Sequence, residues 1–392
     1  PGEKIAILTE PDGSARVLEY WEVQREVYHR AKGRGGLPHA EARAFLAGGL
    51  DPVAEVRYVD FDEPSEPELG LDQLLASAGW IQSDRQQLQF HADRGAEPIG
   101  SLGWDGPLGP FTPVPMPLSD YLQETVAVVT NPAIDREREM EHFSTRIVLG
   151  RRPPMEGVEP DPPQRCELRM PLILGGMRKG VSPLSLPELR RVAVGQGVAC
   201  MEDVLAAWGD RAITLSLAYD PAGGLAAYLD TLRSTAVDKV RSGAELLVLH
   251  DMSAGPGERV CDPHLAVAAV DKALREAHHG DGASLRRDAS LILQAAGIRN
   301  VHDVMVALGF GAQALVPYAM MELALDGQPE PSAAASNVLD GMQKGIEKVL
   351  STLGIHELRG YGRLVSAIGV TPEVLDILTI PGFCASEGHG LD

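Results

Sequence analysis

The sequence predicts an α/β fold: a rudimentary (β/α) barrel-like domain preceded by a mainly helical and irregular N-terminal segment. Beyond residue 170, short apolar runs alternate with amphipathic segments of helical period, which is typical of parallel strands joined by crossover helices. The runs are 172–176, 212–219, 245–251, 290–295 and 312–317. Because a complete (β/α)₈ barrel needs about eight strands, these runs predict an incomplete TIM-barrel-like domain, although a doubly wound open sheet would give the same alternation.

Periodicity and end residues mark the helices of this β/α part. Apolar side chains recur on one face of 224–242, and Gly243 supplies the C-terminal stop. The segment 336–353 has the same one-sided pattern and is followed by Gly354. Thr371 before Pro372 predicts the start of a last helix, because a capping residue followed by proline suits the first helical turn.

Residues 130–139 predict another helix start. Asn131 can accept from the first free N–H groups, Pro132 suits the first helical position, and acidic side chains follow in the first turn. Met140, Phe143 and Ile147 then recur at helical spacing, which predicts that the helix continues through them.

The N-terminal part predicts a hairpin, because runs 4–9 and 15–21 are β-prone and flank a Pro-Asp-Gly-Ser turn. Further predictions are helices at 22–32, 40–47, 71–79 and 84–94, and an acidic, proline-rich solvated linker at 60–68. The predicted organisation is a connecting segment 1–125, the β/α domain 126–380 and a tail 381–392.

Composition and charge exclude several classes of protein. A chain of 392 residues that is 44% hydrophobic can bury a sizeable core, and its net charge of −20 argues against nucleic-acid binding. It has neither an N-terminal apolar signal segment nor a run of about 18 apolar residues, so we expect no secretion and no membrane span. We interpret the arginine pairs 151–152, 190–191 and 286–287 as solvated faces rather than phosphate sites.

The cysteines are widely spaced. Cys166, Cys200, Cys261 and Cys384 form no C-x-x-C pair, so they predict neither a disulfide framework nor a metal site. This pattern favours a reduced, cytoplasmic compartment.

Four blocks of sequence carry a resemblance to a known family. Residues 130–139 resemble the pattern T-N-P-P-I-D-P-x-R-E, with Ala133 in place of the second proline. Residues 95–108 resemble G-x-E-P-I-G-S-M-G-N-D-T-P-L, with Gly100, Ser101, Gly103 and Asp105 matching. Blocks 299–318 and 337–355 are similar to R-E-V-H-H-x-A-x-L-x-G-Y-G-A-x-A-x-x-P-Y and to N-x-x-x-x-x-x-K-G-L-x-K-V-M-S-K-M-G-I. Together they resemble, in order, the central domain of glutamate synthases.

The resemblance implies a domain that looks like a rudimentary copy of the family's flavin-binding barrel. The opening Pro1-Gly2-Glu3 resembles the end of the family's amidotransferase domain. That domain uses an N-terminal cysteine nucleophile, and the FMN and iron–sulfur cluster belong to a domain that would follow residue 392. The resemblance therefore implies no cofactor and no complete glutamate synthase activity for this chain alone.

The chain departs from the family at the predicted strand ends. The family's L-S-D-R is replaced by residues 249–252, which read Leu-His-Asp-Met, and its E-T-G by Gln294-Ala295-Ala296. The second lysine of K-V-M-S-K becomes Thr352. These losses look like divergence towards a different task.

Polar residues that follow the predicted strands are the candidate site, because loops at the carboxyl ends of β/α strands carry function. The candidate ligand-binding residues are Arg178, Lys179, Asp220, His250, Asp251 and Arg299, and His250 and Asp251 are also candidate catalytic residues. They could bind a small dicarboxylate, with His250 transferring a proton near neutral pH, or they could be ordinary polar caps. We interpret His302 as a packing or capping residue and His278-His279 as a helix end, and we expect no metal.

The main functional hypothesis is a non-catalytic module of nitrogen and glutamate metabolism that links or supports ammonia-producing and flavin domains and contributes to the ammonia passage. Its expected partners are amidotransferase and FMN-binding domains or subunits, in an oligomer. The alternative is a free-standing enzyme or binding protein that reuses the degenerate barrel for an amino or keto acid. A third hypothesis is a scaffold for a separate amidotransferase.

Overall fold

The computed structural model describes residues 5–9, 15–19, 69–98, 116–125, 136–152, 164–255, 257–280, 282–383 and 388–391. Residues 1–48 form one unit and residues 49–392 a second. In the first unit, β1 (Ile5–Thr9) pairs antiparallel with β2 (Ala15–Glu19), which confirms the predicted hairpin.

The second unit contains the β/α part, in which helices and strands alternate along much of the chain. The helices are α1 (Leu71–Ser77), α2 (Gln82–Arg94), α3 (Arg136–His142), α4 (Leu186–Gln196), α5 (Met201–Trp208), α6 (Leu225–Arg241), α7 (Pro263–Glu276), α8 (Val301–Gly309), α9 (Tyr318–Leu325), α10 (Pro331–Leu353) and α11 (Pro372–Leu378). The strands are β3 (Leu122–Glu124), β4 (Ile147–Leu149), β5 (Cys166–Leu168), β6 (Ala212–Ser216), β7 (Ala218–Tyr219), β8 (Leu246–His250), β9 (Arg259–Val260), β10 (Ser290–Gln294), β11 (Ala314–Val316), β12 (Val365–Ile368) and β13 (Gly382–Phe383).

The main sheet is parallel and has the strand order β11-β10-β8-β6, which confirms the α/β class. Leu172 forms a parallel bridge to Leu315 of β11, and Leu174 forms one to Cys200. The first strand segment of the β/α part therefore lies beside the last one, as in a barrel, whereas a doubly wound sheet places its first strand in the middle. Among the described residues no strand pairing joins the Cys200 segment to β6, so the ring is incomplete.

The predicted apolar runs form this sheet with small differences. All residues of β8, β10 and β11 are buried, as expected for parallel strands covered by helices on both faces. The run 212–219 divides into β6 and β7, and β7 pairs antiparallel with β9 outside the main sheet. The run 172–176 contributes single bridges rather than a regular strand.

The helix predicted to pass through Ile147 is wrong at its C-terminal end. The helix α3 ends at His142, and Ile147 lies in β4, paired with Leu168 of β5. The N–H of Ser144 donates to the His356 carbonyl at 2.8 Å, and the Phe143 ring stacks on His356. These tertiary contacts draw the chain out of the helix, so the helical spacing was a coincidence of sequence.

Helix α2 packs against α10 through small residues. A Cβ on Gly341 of α10 would lie 2.9 Å from the His91 ring, and one on Gly345 would lie 3.0 Å from Glu97 Oε2. The Asn337 side chain donates to the Ala92 carbonyl at 2.8 Å. A larger side chain at Gly341 would displace α2, and one at Gly345 would collide with Val301 of α8, 2.6 Å from the added Cβ, so both glycines are needed for this close packing.

The other predicted helices are observed with shifted bounds. The segments predicted at 71–79, 84–94, 224–242 and 336–353 are α1, α2, α6 and α10. Helix α11 begins at Pro372, directly after Thr371, as predicted. The predictions for 22–32, 40–47, 60–68, Asn131-Pro132 and the loop with Ser101 and Asp105 lie outside the described residues. The domain boundary at 125/126 stays a prediction.

Candidate functional site

A group of polar side chains lies at the carboxyl ends of the parallel strands. We call Glu202, His250, Asp251, Gln294 and Tyr318 the strand-end cluster. His250 and Gln294 are the last residues of β8 and β10, and Asp251 follows β8 directly. Glu202 lies in the first turn of α5, just after the Cys200 bridge, and Tyr318 begins α9 after β11. In β/α folds this edge of the sheet is where binding sites form.

Gln294 is fully buried, and its orientation is fixed by the main chain. Its amide nitrogen donates to the Gly176 carbonyl at 2.7 Å and also faces the Met252 sulfur. The opposite orientation would place two carbonyl oxygens against each other, so Nε2 must point to Gly176. Oε1 then has no hydrogen-bond donor among the described residues.

Glu202 is held against a pair of glycines. The Gly176 N–H donates to Glu202 Oε1 at 2.9 Å. Gly175 and Gly176 have φ values of +77° and +59°, and a Cβ on Gly175 would collide with the carboxylate. Burial raises the pKa of Glu202. Its other oxygen, Oε2, is buried and has no hydrogen-bond donor in the described part of the chain.

Asp251 is a buried carboxyl group with two hydrogen-bond donors. The Ala296 N–H donates to Oδ2 at 2.8 Å, and the Tyr318 hydroxyl also donates to the carboxyl group. Burial raises the pKa of Asp251 to about 6. Burial and the nearby Asp251 charge raise the pKa of Tyr318 well above its usual value, so this phenol stays protonated at neutral pH.

His250 lies in a buried environment at the end of β8. This burial lowers the pKa of His250 to about 4, so the imidazole is neutral at pH 7. Its expected role in proton transfer stays a prediction. A neutral imidazole can still donate or accept a hydrogen bond.

The strand-end cluster thus places two buried acceptor oxygens at one edge of the sheet that have no donor among the described residues. They are Glu202 Oε2 and Gln294 Oε1. Leaving a buried acceptor unsatisfied costs about 1–3 kcal/mol, and native structures contain few such atoms. Both acceptors belong to side chains that are hydrogen-bonded to Gly176, so the arrangement can receive a small molecule or group that carries N–H donors.

The buried state of Asp251 gives a testable pH dependence. Its raised pKa contributes stability below its unfolded pKa, and that contribution is lost as the pH rises through about 6. Asp251→Asn removes this loss, so the stability of the variant relative to the wild type should rise by about 2–3 kcal/mol from acid to neutral pH. Urea unfolding measured across this pH range checks it.

The control for this prediction is Asp238→Asn, because Asp238 is an exposed carboxylate on α6. We expect the stability of that variant to follow the wild type at every pH. An Asp251→Asn curve that runs parallel to the wild type would contradict the raised pKa of Asp251.

Arg178, the candidate arginine in the loop after the first strand segment, forms a buried ion pair with Glu322. The backbone N–H of Arg178 donates to Glu322 Oε1 at 2.8 Å, its Nε donates to Oε2 at 2.9 Å, and one terminal nitrogen donates to the Leu69 carbonyl. Lys179 is exposed, and exposed Asp220 accepts from the Ala222 N–H at 2.9 Å as the cap of a short turn. A ligand-binding role for these three residues stays a prediction.

Arg299 lies in a separate buried ion-pair network. Its guanidinium donates to Asp303 at 2.8 Å, to Asp120 at 2.8 Å and to the Gly79 carbonyl at 3.1 Å. Burial opposes these charges, but the two carboxylates raise the pKa of Arg299 further. The side chain therefore joins α8 to the segments before β3, and its predicted contact with a ligand stays untested.

The predicted histidines serve structural roles. His302 is buried on α8, and its Nε2 is 3.0 Å from the Ser119 carbonyl, in keeping with a packing role. His278 and His279 are exposed and contact the Glu276 carbonyl and the Asp288 carboxylate. Among the described residues no three His, Cys, Asp or Glu side chains are grouped to hold a metal ion.

Two members of the strand-end cluster were missed by sequence reasoning. Cys200, which precedes Glu202, forms only one isolated β-bridge. The sequence therefore has no apolar run that predicts a strand before Glu202. Tyr318 belongs to a sequence block singled out as a motif, and its position one residue after the run 312–317 could have identified it. Neither residue shows a chemical pattern of its own in the sequence.

The sequence of this chain is similar to part of the glutamate synthases. The family model described as the glutamate synthase central domain matches residues 73–371. Ferredoxin-dependent glutamate synthase 2 of Synechocystis sp. is 30% identical over 309 residues, which cover 73% of this chain and 18% of that protein. The large chain of the NADPH glutamate synthase of Bacillus subtilis is 26% identical over 334 residues, covering 82% of this chain and 20% of that protein. The chain thus spans no more than a fifth of the length of these relatives.

Among solved structures, a flavocytochrome b2 mutant with pyruvate bound aligns with a TM-score of 0.39 and 12% identity. That alignment covers 82% of this chain and 95% of the other. An oxidized active mutant of (S)-mandelate dehydrogenase aligns with a TM-score of 0.32 and 11% identity, over 76% of this chain and 98% of the other. In the described part of the chain, no helix is both long and apolar enough to cross a membrane.

Proposed function

Because the chain belongs to the glutamate synthase central domain family, we propose that it is a non-catalytic module that links or supports an amidotransferase part and an FMN-binding part. The family match carries the proposal, since it takes in α1 and α2 as well as the β/α part. Its setting would be nitrogen metabolism and glutamate biosynthesis in the cytoplasm. The module would contribute to the ammonia passage between the two parts, within an oligomer.

Rigid attachment of the N-terminal helices supports a connecting role. Arg299 ties α8 to Gly79 and Asp120, and α2 packs closely on α10. A connector that positions two catalytic parts needs such fixed geometry, because a passage for a small molecule is lost when its walls move apart. The buried ion pairs and the glycine contacts supply this fixed geometry.

The described cysteines support the absence of catalysis. Cys200 and Cys261 are buried, and burial raises the pKa of each thiol far above the range where a thiolate forms. Cys166 is also buried, on β5, well separated along the chain from the other two. We therefore propose that FMN and the iron–sulfur cluster are held by other parts of a glutamate synthase and that this chain needs no cofactor.

Binding to its neighbours tests the module. The purified chain should form a complex with the separately produced amidotransferase or FMN-binding part of a glutamate synthase from the same organism, observed by sedimentation velocity. An unrelated flavoprotein of similar size is the control and should sediment independently. Independent sedimentation of the chain with both parts would remove the support for a linking role.

The strand-end cluster favours a second candidate function, the binding of a small amino acid. The two acceptor oxygens that have no donor among the described residues match an ammonium group, which carries only donors. A keto acid offers acceptors instead, so an amino acid fits better than a keto acid. Binding of this kind needs no catalytic step, and the neutral imidazole of His250 could still donate or accept a hydrogen bond.

Thermal unfolding with glutamine, glutamate, 2-oxoglutarate and FMN tests this second function. An amino acid at about a hundred times its dissociation constant would add about 2.7 kcal/mol of stability. Gln294→Met should abolish the shift, whereas Gln343→Met on α10, whose side chain pairs with Glu347, should retain it. An equal shift in both variants, or none in the wild type, would rule out the strand-end cluster as an amino acid site.

A further inference from the structure

Arginines gather around one buried carboxylate at the amino ends of β10 and β11, at the opposite edge of the sheet from the strand-end cluster. Asp271 of α7 is fully buried there. The arginine cluster consists of Arg152, Arg275, Arg286, Arg287 and Arg363. Sequence reasoning had interpreted the pairs 151–152 and 286–287 as solvated faces. The structure corrects this for Arg286, which is buried, and brings the two pairs together through a 2.8 Å hydrogen bond from the Arg152 N–H to the Arg287 carbonyl.

Three arginines contact Asp271 directly. Arg286 Nε donates to Oδ1 at 2.6 Å, Arg275 Nε donates to Oδ2 at 2.6 Å, and a terminal nitrogen of Arg363 donates to Oδ2 at 2.8 Å. Burial disfavours the charge, but these guanidinium groups hold the pKa of Asp271 below its usual value. One carboxylate therefore faces three cations, and two positive charges remain before Arg152 is counted.

Arg152 adds a further positive charge on the exposed side of the cluster. Burial and the neighbouring guanidinium groups of Arg287 and Arg275 lower the pKa of Arg152. The whole chain carries a net charge of −20, so acidic residues are plentiful elsewhere. Positive charge is nevertheless concentrated here, and such a concentration attracts anions.

The arginines of the cluster differ in how their hydrogen-bond donors are used. Arg286 also donates to the Ala289 carbonyl, the Gly311 carbonyl and Gln313 Oε1, so its donors are used inside the fold. Arg275 contacts Asp271 through Nε alone, and 58% of its side chain is exposed. Among the described residues, no acceptor is hydrogen-bonded to the Arg152 guanidinium or to the terminal nitrogens of Arg275. These donors lie on the accessible side of the cluster.

We propose that Arg152 and Arg275, backed by Arg363 and Arg286, bind a small oxyanion of the phosphate type. Planar guanidinium forks match the oxygens of phosphate with paired, charge-assisted hydrogen bonds. Asp271 fixes the inner arginines and leaves the outer donors oriented outwards. This site is independent of the proposed linking role, because it lies on the opposite edge of the sheet from the strand-end cluster and uses none of its residues.

Titration with inorganic phosphate tests the site. The full chain is titrated with phosphate and, at the same ionic strength, with chloride, and binding is followed by calorimetry and by thermal unfolding. We expect phosphate, unlike chloride, to bind with measurable heat and to raise the unfolding temperature. Arg152→Gln combined with Arg275→Gln should weaken phosphate binding by at least about tenfold, the loss of one charge-assisted contact or more.

A matched control removes the same charge elsewhere. Arg191→Gln combined with Arg241→Gln changes two exposed helix arginines whose nearest carboxylates lie 3.8 and 4.0 Å away. This control should bind phosphate as the wild type does. Arg152→Gln alone serves if the double variant fails to fold, because the Arg152 side chain has no hydrogen bond to lose within the described residues.

A second series of titrations, with succinate and 2-oxoglutarate, distinguishes phosphate from a dicarboxylate as the oxyanion that binds. Binding of either phosphate or a dicarboxylate that depends on Arg152 and Arg275 supports an oxyanion site and names its class. The proposal is overturned if the wild type binds none of these anions, or if both double variants bind them equally, since the effect would then be one of general charge.

Discussion

Arg299→Met should lower the free energy of unfolding by about 3–5 kcal/mol, because removing one partner of a buried ion-pair network leaves the others uncompensated. Arg299 is 3% exposed and contacts Asp303 and Asp120, while Asp84 lies 4.0 Å away. Without the guanidinium, these carboxylates must either stay charged in a dry interior or take up protons. Urea unfolding followed by circular dichroism measures the loss.

The matched control is Arg233→Met on α6. Arg233 pairs with Asp230 at 2.9 Å, and the Asp230 side chain is 76% exposed, so this surface pair contributes less than about 1 kcal/mol. A loss of stability in Arg299→Met no larger than in Arg233→Met would show that the network does not join the N-terminal helices to the β/α part.

Asp271→Asn should also lower the free energy of unfolding by about 3–5 kcal/mol in chloride, since the arginines around it would repel each other without a buried counter-charge. The variant keeps the size of the side chain and removes only the charge. The same variant should regain part of this loss in phosphate, because an external anion can replace some of the missing charge. Thermal unfolding in the two salts at equal ionic strength measures both effects.

Asp230→Asn is the control for this second prediction, because it removes an exposed carboxylate of the same type. Its stability should differ little from the wild type in either salt. If Asp271→Asn is as stable as Asp230→Asn in chloride, the arginine cluster does not depend on Asp271 for its charge balance.

The parallel sheet could be predicted from the sequence because its strands are buried on both faces. A strand such as β8 or β10 then reads as a continuous apolar run, and its last residue is placed to within one position. The sequence therefore predicts His250, Asp251 and Gln294 at the functional edge of the sheet. The pKa values of His250 and Asp251 depend on burial in three dimensions, which no local pattern contains.

Long-range pairing accounts for what the sequence did not reveal. Ile147 fits a helical period, yet the contact of Ser144 with His356 places it in a strand. Arg286 follows a polar segment and resembles a surface residue in the sequence. In the fold it is buried and pairs with Asp271 of α7. Glu202 reaches the strand-end cluster through a bridge of one residue. In each case a partner distant in the chain decides the environment, and one sequence alone does not identify that partner.

The most direct test of the central claim is a measurement of ammonia transfer. The amidotransferase and FMN-binding parts of a glutamate synthase from the same organism are mixed with and without this chain, and new glutamate is compared with the ammonia released from glutamine. A linking module predicts that the share of released ammonia appearing in glutamate rises when the chain is added and that an inert protein has no such effect. An unchanged share, with both catalytic parts active, would contradict the proposed role.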